Sequence, residues 1–401
     1  MLSVGKRFGA AHGLASRLLA PGFGALIDRV DRGLVRGTMV AHLPDGTART
    51  LGGRAPGFEV ELTVKDWRAL VRLATGGSIG WYQAWEKGEW ACEDLVSLFA
   101  IMGANARELG NTARPSGPFK WAARIVHGSN RNSRAGSARN VAAHYDLGND
   151  FYAAWLDSGM TYSSALGWGD GGLEAAQARK LTAIAARLGE ARSVLEIGCG
   201  WGSLAQLLAA EGREVTAISL SEEQLAYARA NRLPAIRFEQ RDYRTVEGQY
   251  DAIACVEMVE ALGREYWPAF LDCIARSLKP GGRAALQYIS MAEDLFETYA
   301  GTTDFIQAYV FPGGLLIKSS EFRALAEARG LAWEEPHAFG EDYAHTLAEW
   351  RARFEAAVRE GLLPEGFDTR FQRLWRYYLS YCEGGFRSGN VNVHQVTLVR
   401  R

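Results

Sequence analysis

From about residue 190 the chain alternates short apolar runs with amphipathic stretches. "SVLEIG" (193–198) is apolar and ends in glycine, and "SLAQLLAAEG" follows it with helical spacing. The apolar run "EVTAISL" (214–220) comes next, then a second helical stretch, "SEEQLAYARANR". "AIRFEQ" and "YDAIACV" (250–256) read as two more strands, and "YWPAFLDCIARSL" as a helix leading into the strand "PGGRAALQYIS" (280–290). Two late strands, "LAWEEPHAF" (331–339) and "VNVHQVTLVR" (391–400), enclose helices predicted over 342–361 and 367–382. Strands alternating with helices predict a parallel, doubly wound α/β sheet.

The first quarter has another rhythm. "GFEVELTV" (57–64) alternates like a half-buried strand, whereas "KDWRALVRLAT" and "CEDLVSLFAIMGAN" repeat with helical spacing. This predicts a small α+β domain over 1–111. Residues 112–140 are rich in Ser, Gly, Asn, Pro and Arg and read as a linker, with the larger domain over 141–401.

Composition adds little to that picture. A chain of 401 residues, 48% hydrophobic and 23% charged, is an ordinary folded protein with room for two or three domains. The net charge of −1 is uninformative, but its distribution is not. The linker carries Arg114, Lys120, Arg124, Arg131, Arg134 and Arg139 and no acidic residue. Such a stretch is either a solvated connection or a contact for an anionic surface. The first thirty residues are basic and mildly amphipathic, as in a surface helix or one lying on a membrane. Five scattered cysteines with no CxxC pair argue against a zinc site or a disulfide framework and suggest a reducing compartment. No apolar run reaches the roughly 18 residues of a spanning helix.

Candidate chemistry begins at "LEIGCGWG". Gly198, Gly200 and Gly202 stand between a strand and a helix, spaced G-x-G-x-G. The dinucleotide fingerprint is G-x-G-x-x-G, so NAD is disfavoured. The turn resembles motif I of class I S-adenosylmethionine-dependent methyltransferases, with Glu196 near the cofactor's positive end or ordering the turn. Where most such methyltransferases carry an acidic residue for the ribose after the second strand, this chain reads "ISLSEEQ" (218–224). Ser219, Leu220 and Gln224 are the expected cofactor contacts there, with Glu222 either a cap or a ligand. Asp242 is either an acceptor for the adenine amino group or a turn residue, and Tyr243 is placed to stack on the ring.

Seven stretches together resemble the cyclopropane-fatty-acyl-phospholipid synthase family. They are "HYDLGNDFY", "MTYSSA", "VLEIGCGWG", "EMVEALG", "DFIQAYVFPGG", "FGEDYAHTLAEW" and "YYLSYCEGGFRSGNVNVHQVTLVR", in family order from about 140 to 401. The resemblance implies a class I methyltransferase fold with a mostly parallel seven-stranded sheet. It implies methyl transfer from S-adenosylmethionine to the cis double bond of an acyl chain in a membrane phospholipid, through a carbocation deprotonated by bound bicarbonate. It further implies a cytoplasmic homodimer, peripheral on the inner membrane surface through its N-terminal domain, with no nucleic-acid partner.

Residue by residue, Tyr162 and Ser163 match the pair that meets the cofactor's methionine carboxylate. Glu260, Tyr343 and the backbone of Ile289 match the bicarbonate pocket. Two positions depart from the pattern: Ser164 replaces a cysteine and Gln287 a histidine. Glutamine donates a hydrogen bond but cannot take up a proton, so the proton relay is altered and the product, ring or methyl branch, stays open. His144 reads as a lid, positioning or structural residue. His337, His345 and His394 are too far apart for a metal reading. Phe305, Tyr309 and Phe311 form either an acyl-facing wall or core. A soluble small-molecule methyltransferase and an inactive lipid-binding homologue are the competing readings.

Overall fold

The computed structural model describes residues 12–110 and 147–401, with side chains from Phe23 onward. The basic stretch 112–140 and His144 lie outside the described residues. The chain divides into two compact units, one within Met1–Ala123 and one within Arg124–Arg401.

The first unit holds a four-stranded sheet in the order β2-β1-β3-β4: β1 Arg36–His42, β2 Ala48–Gly52, β3 Ala55–Val64 and β4 Trp90–Ala91. β1 and β2 form an antiparallel hairpin, whereas β1 and β3 run parallel. Alternation sends Met39, Ala41, Val60, Leu62 and Val64 inward, as a sheet with one covered face requires. The expected strand lies within β3. The two expected helices run over Arg68–Glu86, kinked at Gly77, and Leu95–Ala104, capped by Asp94, which accepts from Ser97 N at 2.9 Å. Asn105 is fully buried, and its amide ties this helix to β1. Oδ1 accepts from Val35 N (2.9 Å) and Arg36 N (2.8 Å), and Nδ2 donates to the carbonyls of Arg36 and Ile101 (both 2.8 Å).

The second unit is a seven-stranded α/β sheet in the order β10-β11-β9-β8-β5-β6-β7. Its strands are β5 Ser193–Ile197, β6 Glu214–Ser219, β7 Arg237–Gln240, β8 Tyr250–Val256, β9 Leu278–Met291, β10 Leu331–Ala338 and β11 Val391–Arg400. β5 to β9 pair in parallel, and β11 is antiparallel to both its neighbours. This is the mostly parallel, doubly wound sheet of a class I methyltransferase. Successive residues enter cores on opposite faces: Val194, Ala252 and Ala285 on one side, Leu195, Ile253 and Leu286 on the other. Burial on both faces explains why these strands read as continuous apolar runs. The chain winds outward from β5 to β7, then returns to place β8 on the other flank of β5. Ligands of such sheets bind beyond the strand C-termini at this reversal.

Candidate active site

A cleft opens at that reversal, where β5 gives way to the glycine turn. Gly198, Gly200 and Gly202 all have positive φ (79°, 53° and 81°), a region L side chains rarely enter. The turn is pinned to β6 because Gly198 N and Cys199 N both donate to Ile218 O (2.9 and 3.1 Å). A Cβ on Gly198 would meet the Met258 side chain at 2.7 Å, and one on Gly202 the Phe238 ring at 2.9 Å.

Of the expected cofactor residues, all but Gly202 border the cleft. Glu196 is buried, and its Oε2 has no hydrogen-bond partner among the described residues, which suits a cationic donor. Across from it, Ser163 Oγ accepts from Lys180 Nζ at 2.7 Å. Lys180 is 1% exposed and was not anticipated from the sequence. Burial pushes Glu196 up and Lys180 down, and their mutual attraction opposes both shifts. Tyr162 sits 2.8 Å from the Tyr378 hydroxyl and packs against Trp155 and Trp350.

At the β6 end, Ser219 Oγ accepts from Ser221 N (3.2 Å), and Ser221 caps the next helix by accepting from Gln224 N (3.2 Å). Leu220 O accepts from Gln240 Nε2 at 3.3 Å. Glu222 pairs outward with Arg229 at 2.6 Å. Asp242 has both carboxylate oxygens on Arg244 (2.8 and 2.5 Å), so it also orders its own turn. The Tyr243 ring meets Phe270 edge to face at 5.6 Å, with the Arg244 guanidinium 5.5 Å from its centroid. This packing places the ring beneath the cleft.

Of the five residues expected around an anion, Ser164, Gln287 and Tyr343 converge on a sixth, while Ile289 N serves Glu260. Glu257, directly after β8, holds an unusual positive φ of 49°, and its N–H donates to Gln287 O at 2.8 Å. Its Oε1 accepts from Ser164 N (2.9 Å) and Gln287 Nε2 (2.7 Å), and its Oε2 from the Tyr343 hydroxyl (2.7 Å). Three of the expected anion donors are thus bound to a carboxylate of the chain itself, which also borders the cleft. Burial pushes the Glu257 carboxyl up, and those three donors with Lys180 pull it down.

Glu260 is set apart from them. Its Oε1 accepts from Ile289 N, and its Oε2 has no hydrogen-bond partner among the described residues. Burial, with the neighbouring Glu257 charge, pushes it up to about 8, so it holds its proton at neutral pH. The Ser164 hydroxyl does not join the donors on Glu257 and instead donates to Ala165 O (2.9 Å). Glu257 lay within the quoted "EMVEALG"; a second carboxylate three residues before Glu260 was the only signal.

Elsewhere, Phe305 is fully buried against Tyr377 and Tyr381 (4.7 and 5.6 Å), which makes it core. Phe311 lies 6.2 Å from Tyr378. Among the described residues no three His, Cys, Asp or Glu side chains group as a metal site, and no helix is long and apolar enough to cross a membrane.

The family model described as mycolic acid cyclopropane synthetase matches residues 132–396. The chain is 36% identical over 396 residues to tuberculostearic acid methyltransferase UfaA1 of Mycobacterium tuberculosis, covering 90% of this chain and 88% of the relative. It is 32% identical to cyclopropane-fatty-acyl-phospholipid synthase of Escherichia coli, covering 87% and 90%. Among solved structures, mycolic acid cyclopropane synthase CmaA1 complexed with SAH and CTAB superposes with a TM-score of 0.60 at 28% identity, covering 65% of this chain and 98% of that one.

Proposed function

This chain belongs to the mycolic acid cyclopropane synthetase family of S-adenosylmethionine-dependent methyltransferases, and we propose that it methylates a cis double bond in a phospholipid acyl chain with Glu257 as its base. S-adenosylmethionine, when bound, supplies an electrophilic methyl group to the alkene, leaving a cation on the acyl chain. Gly198 and Gly200 let the backbone pass close to the cofactor. Glu196 suits its ammonium, and Ser163, backed by Lys180, its carboxylate.

The observation that carries the proposal is the occupancy of the anion pocket by Glu257. Ser164 N, Gln287 Nε2 and the Tyr343 hydroxyl, groups the resemblance assigns to bicarbonate, already hold this carboxylate. Glu257 therefore takes the role expected of bicarbonate. An ionised carboxylate at the rim of the cofactor cleft steadies the developing cation and then takes its proton. The C–H bond breaks, an O–H bond forms on Glu257, and the released electron pair closes a ring or a double bond. We read the product as a methylene-branched chain, formed when a hydride shift precedes proton loss from the new methyl group. Similarity to a tuberculostearic acid methyltransferase over most of both chains supports this choice, as do Ser164 and Gln287 at positions where the cyclopropane pattern has cysteine and histidine.

The test is turnover of cis-monounsaturated phospholipid vesicles in carbonate-free buffer. Acyl products are read by mass spectrometry and proton NMR. The expected product is one methylene heavier, shows vinylidene protons, and forms at the same rate without carbonate. Turnover that collapses without bicarbonate and returns on its addition would refute Glu257 as the base. Cyclopropyl protons would refute the branched product alone. Peripheral membrane contact and a homodimer belong to the same proposal. Co-sedimentation with anionic vesicles at low but not high salt, and the mass in solution, check them.

A further inference from the structure

We propose that Gln395 and Arg187 are positioning residues that fix which end of the Gln287 amide faces Glu257. This rests on Glu257 being the base. Gln287 and Gln395 face each other in register across β9 and β11, and each is 1% exposed. A buried amide fits its cavity either way round, but only one orientation suits an ionised carboxylate. With Nε2 toward Glu257 the charge gains a donor; with the carbonyl oxygen there, it gains a repulsion.

The tie is broken two residues away. Arg187 Nε lies 3.3 Å from Gln395 Oε1, and a guanidinium only donates. The Gln395 atom facing it must therefore be oxygen, so its amide nitrogen faces Gln287, donating to Oε1 at 3.0 Å. That bond occupies the Gln287 oxygen and turns Nε2 onto Glu257 Oε1 at 2.7 Å, with Ser164 O at 3.3 Å. Arg187 is itself held by Glu335 O (2.8 Å) and Thr397 Oγ1 (3.2 Å). No member of the Arg187–Gln395–Gln287 chain can pass a proton at neutral pH. What it transmits is polarity, from a permanent cation near the surface to the base. The other titratable groups about Glu257 are Lys180 and Tyr343, which favour its ionised form, and Glu260, which stays protonated beside it.

Two substitutions separate this role from simple packing. Gln395→Glu pairs with Arg187 but presents only oxygens to Gln287. It draws the Gln287 amide nitrogen to itself and turns the carbonyl oxygen onto Glu257. The acid limb of the kcat–pH profile should then move up by about one pH unit, which lowers kcat about tenfold at pH values below the limb, with KM for S-adenosylmethionine little changed. Gln395→Met removes polarity without inverting it, so its shift should be smaller. A packing role predicts the reverse order, because methionine leaves Arg187 and the Gln287 oxygen without their bonds, whereas glutamate keeps Arg187 paired. An unmoved limb in Gln395→Glu, or a larger loss in Gln395→Met, overturns the inference. If Gln395→Glu does not fold, Arg187→Gln reads the same device. It removes the donor-only end, so the limb should move in the same direction, and an unmoved limb is again decisive. Glu257→Gln separates the two levels. An inactive Glu257→Gln with an unmoved limb in Gln395→Glu sinks only the polarity chain; a fully active Glu257→Gln sinks the base assignment itself.

Discussion

Two glutamates three residues apart reach different chemical states because their partners differ. Glu257 collects three donors and faces the cleft, whereas Glu260 receives one backbone N–H and is pushed up to about 8 by burial. Glu257→Gln should lower kcat by roughly 10²–10⁴, the range of a lost general base, while calorimetry shows S-adenosylmethionine affinity within a few-fold. Glu260→Gln imitates the protonated acid already present, and its kcat should stay within about tenfold of the parent. Equal losses in the two variants would remove the distinction drawn between them. Neither Glu257's partners nor its positive φ could be read locally. Its donors come from positions 164, 287 and 343, in a loop, in β9 and in the helix Gly340–Glu360.

Elements were more legible than contacts. The alternation of apolar runs with helical stretches located β5 to β11, because buried parallel strands and amphipathic helices leave different periodicities. Glycine at the end of β5 announced the turn, and the fold adds why it cannot change. Gly202→Ala would force a strained φ and press a Cβ onto the Phe238 ring, which lies 2.9 Å from its ideal position. A loss of about 1–3 kcal/mol in urea unfolding is expected, with weaker cofactor binding. In the first unit, Asn105 is the last residue of the helical stretch "CEDLVSLFAIMGAN", and nothing in that stretch marks its role. Its amide satisfies two N–H groups and two carbonyls between helix and sheet. Asn105→Ala orphans Val35 N–H and Arg36 N–H, each at about 1–3 kcal/mol, and should lower the thermal midpoint of that unit. A midpoint shift within error would contradict this accounting.

At the scale of the molecule, three carboxylates and one ammonium are gathered at the C-terminal end of a sheet. Glu260 binds its proton up to about 8 when folded and returns to the ordinary carboxyl range when unfolded. Its contribution to stability is therefore complete below that ordinary range, declines as pH rises, and is gone above about 8. Melting temperature should fall between pH 6 and 8.5 as Glu260 and the similarly raised Glu196 lose their protons, and Glu260→Gln should remove the Glu260 share of that fall; an equally steep profile in the variant would assign the whole fall to Glu196. The amino-acid sequence by itself determined the doubly wound sheet and the glycine turn at the end of its first strand. These follow from periodicity, glycine's freedom at positive φ and short motifs, all of which act over a few residues. Only the tertiary structure brings Ser164, Gln287 and Tyr343 onto the Glu257 carboxylate and lines up Arg187, Gln395 and Gln287 behind it. Hydrogen-bond direction is a property of groups brought together from distant positions, and it exists only once β8, β9 and β11 lie side by side.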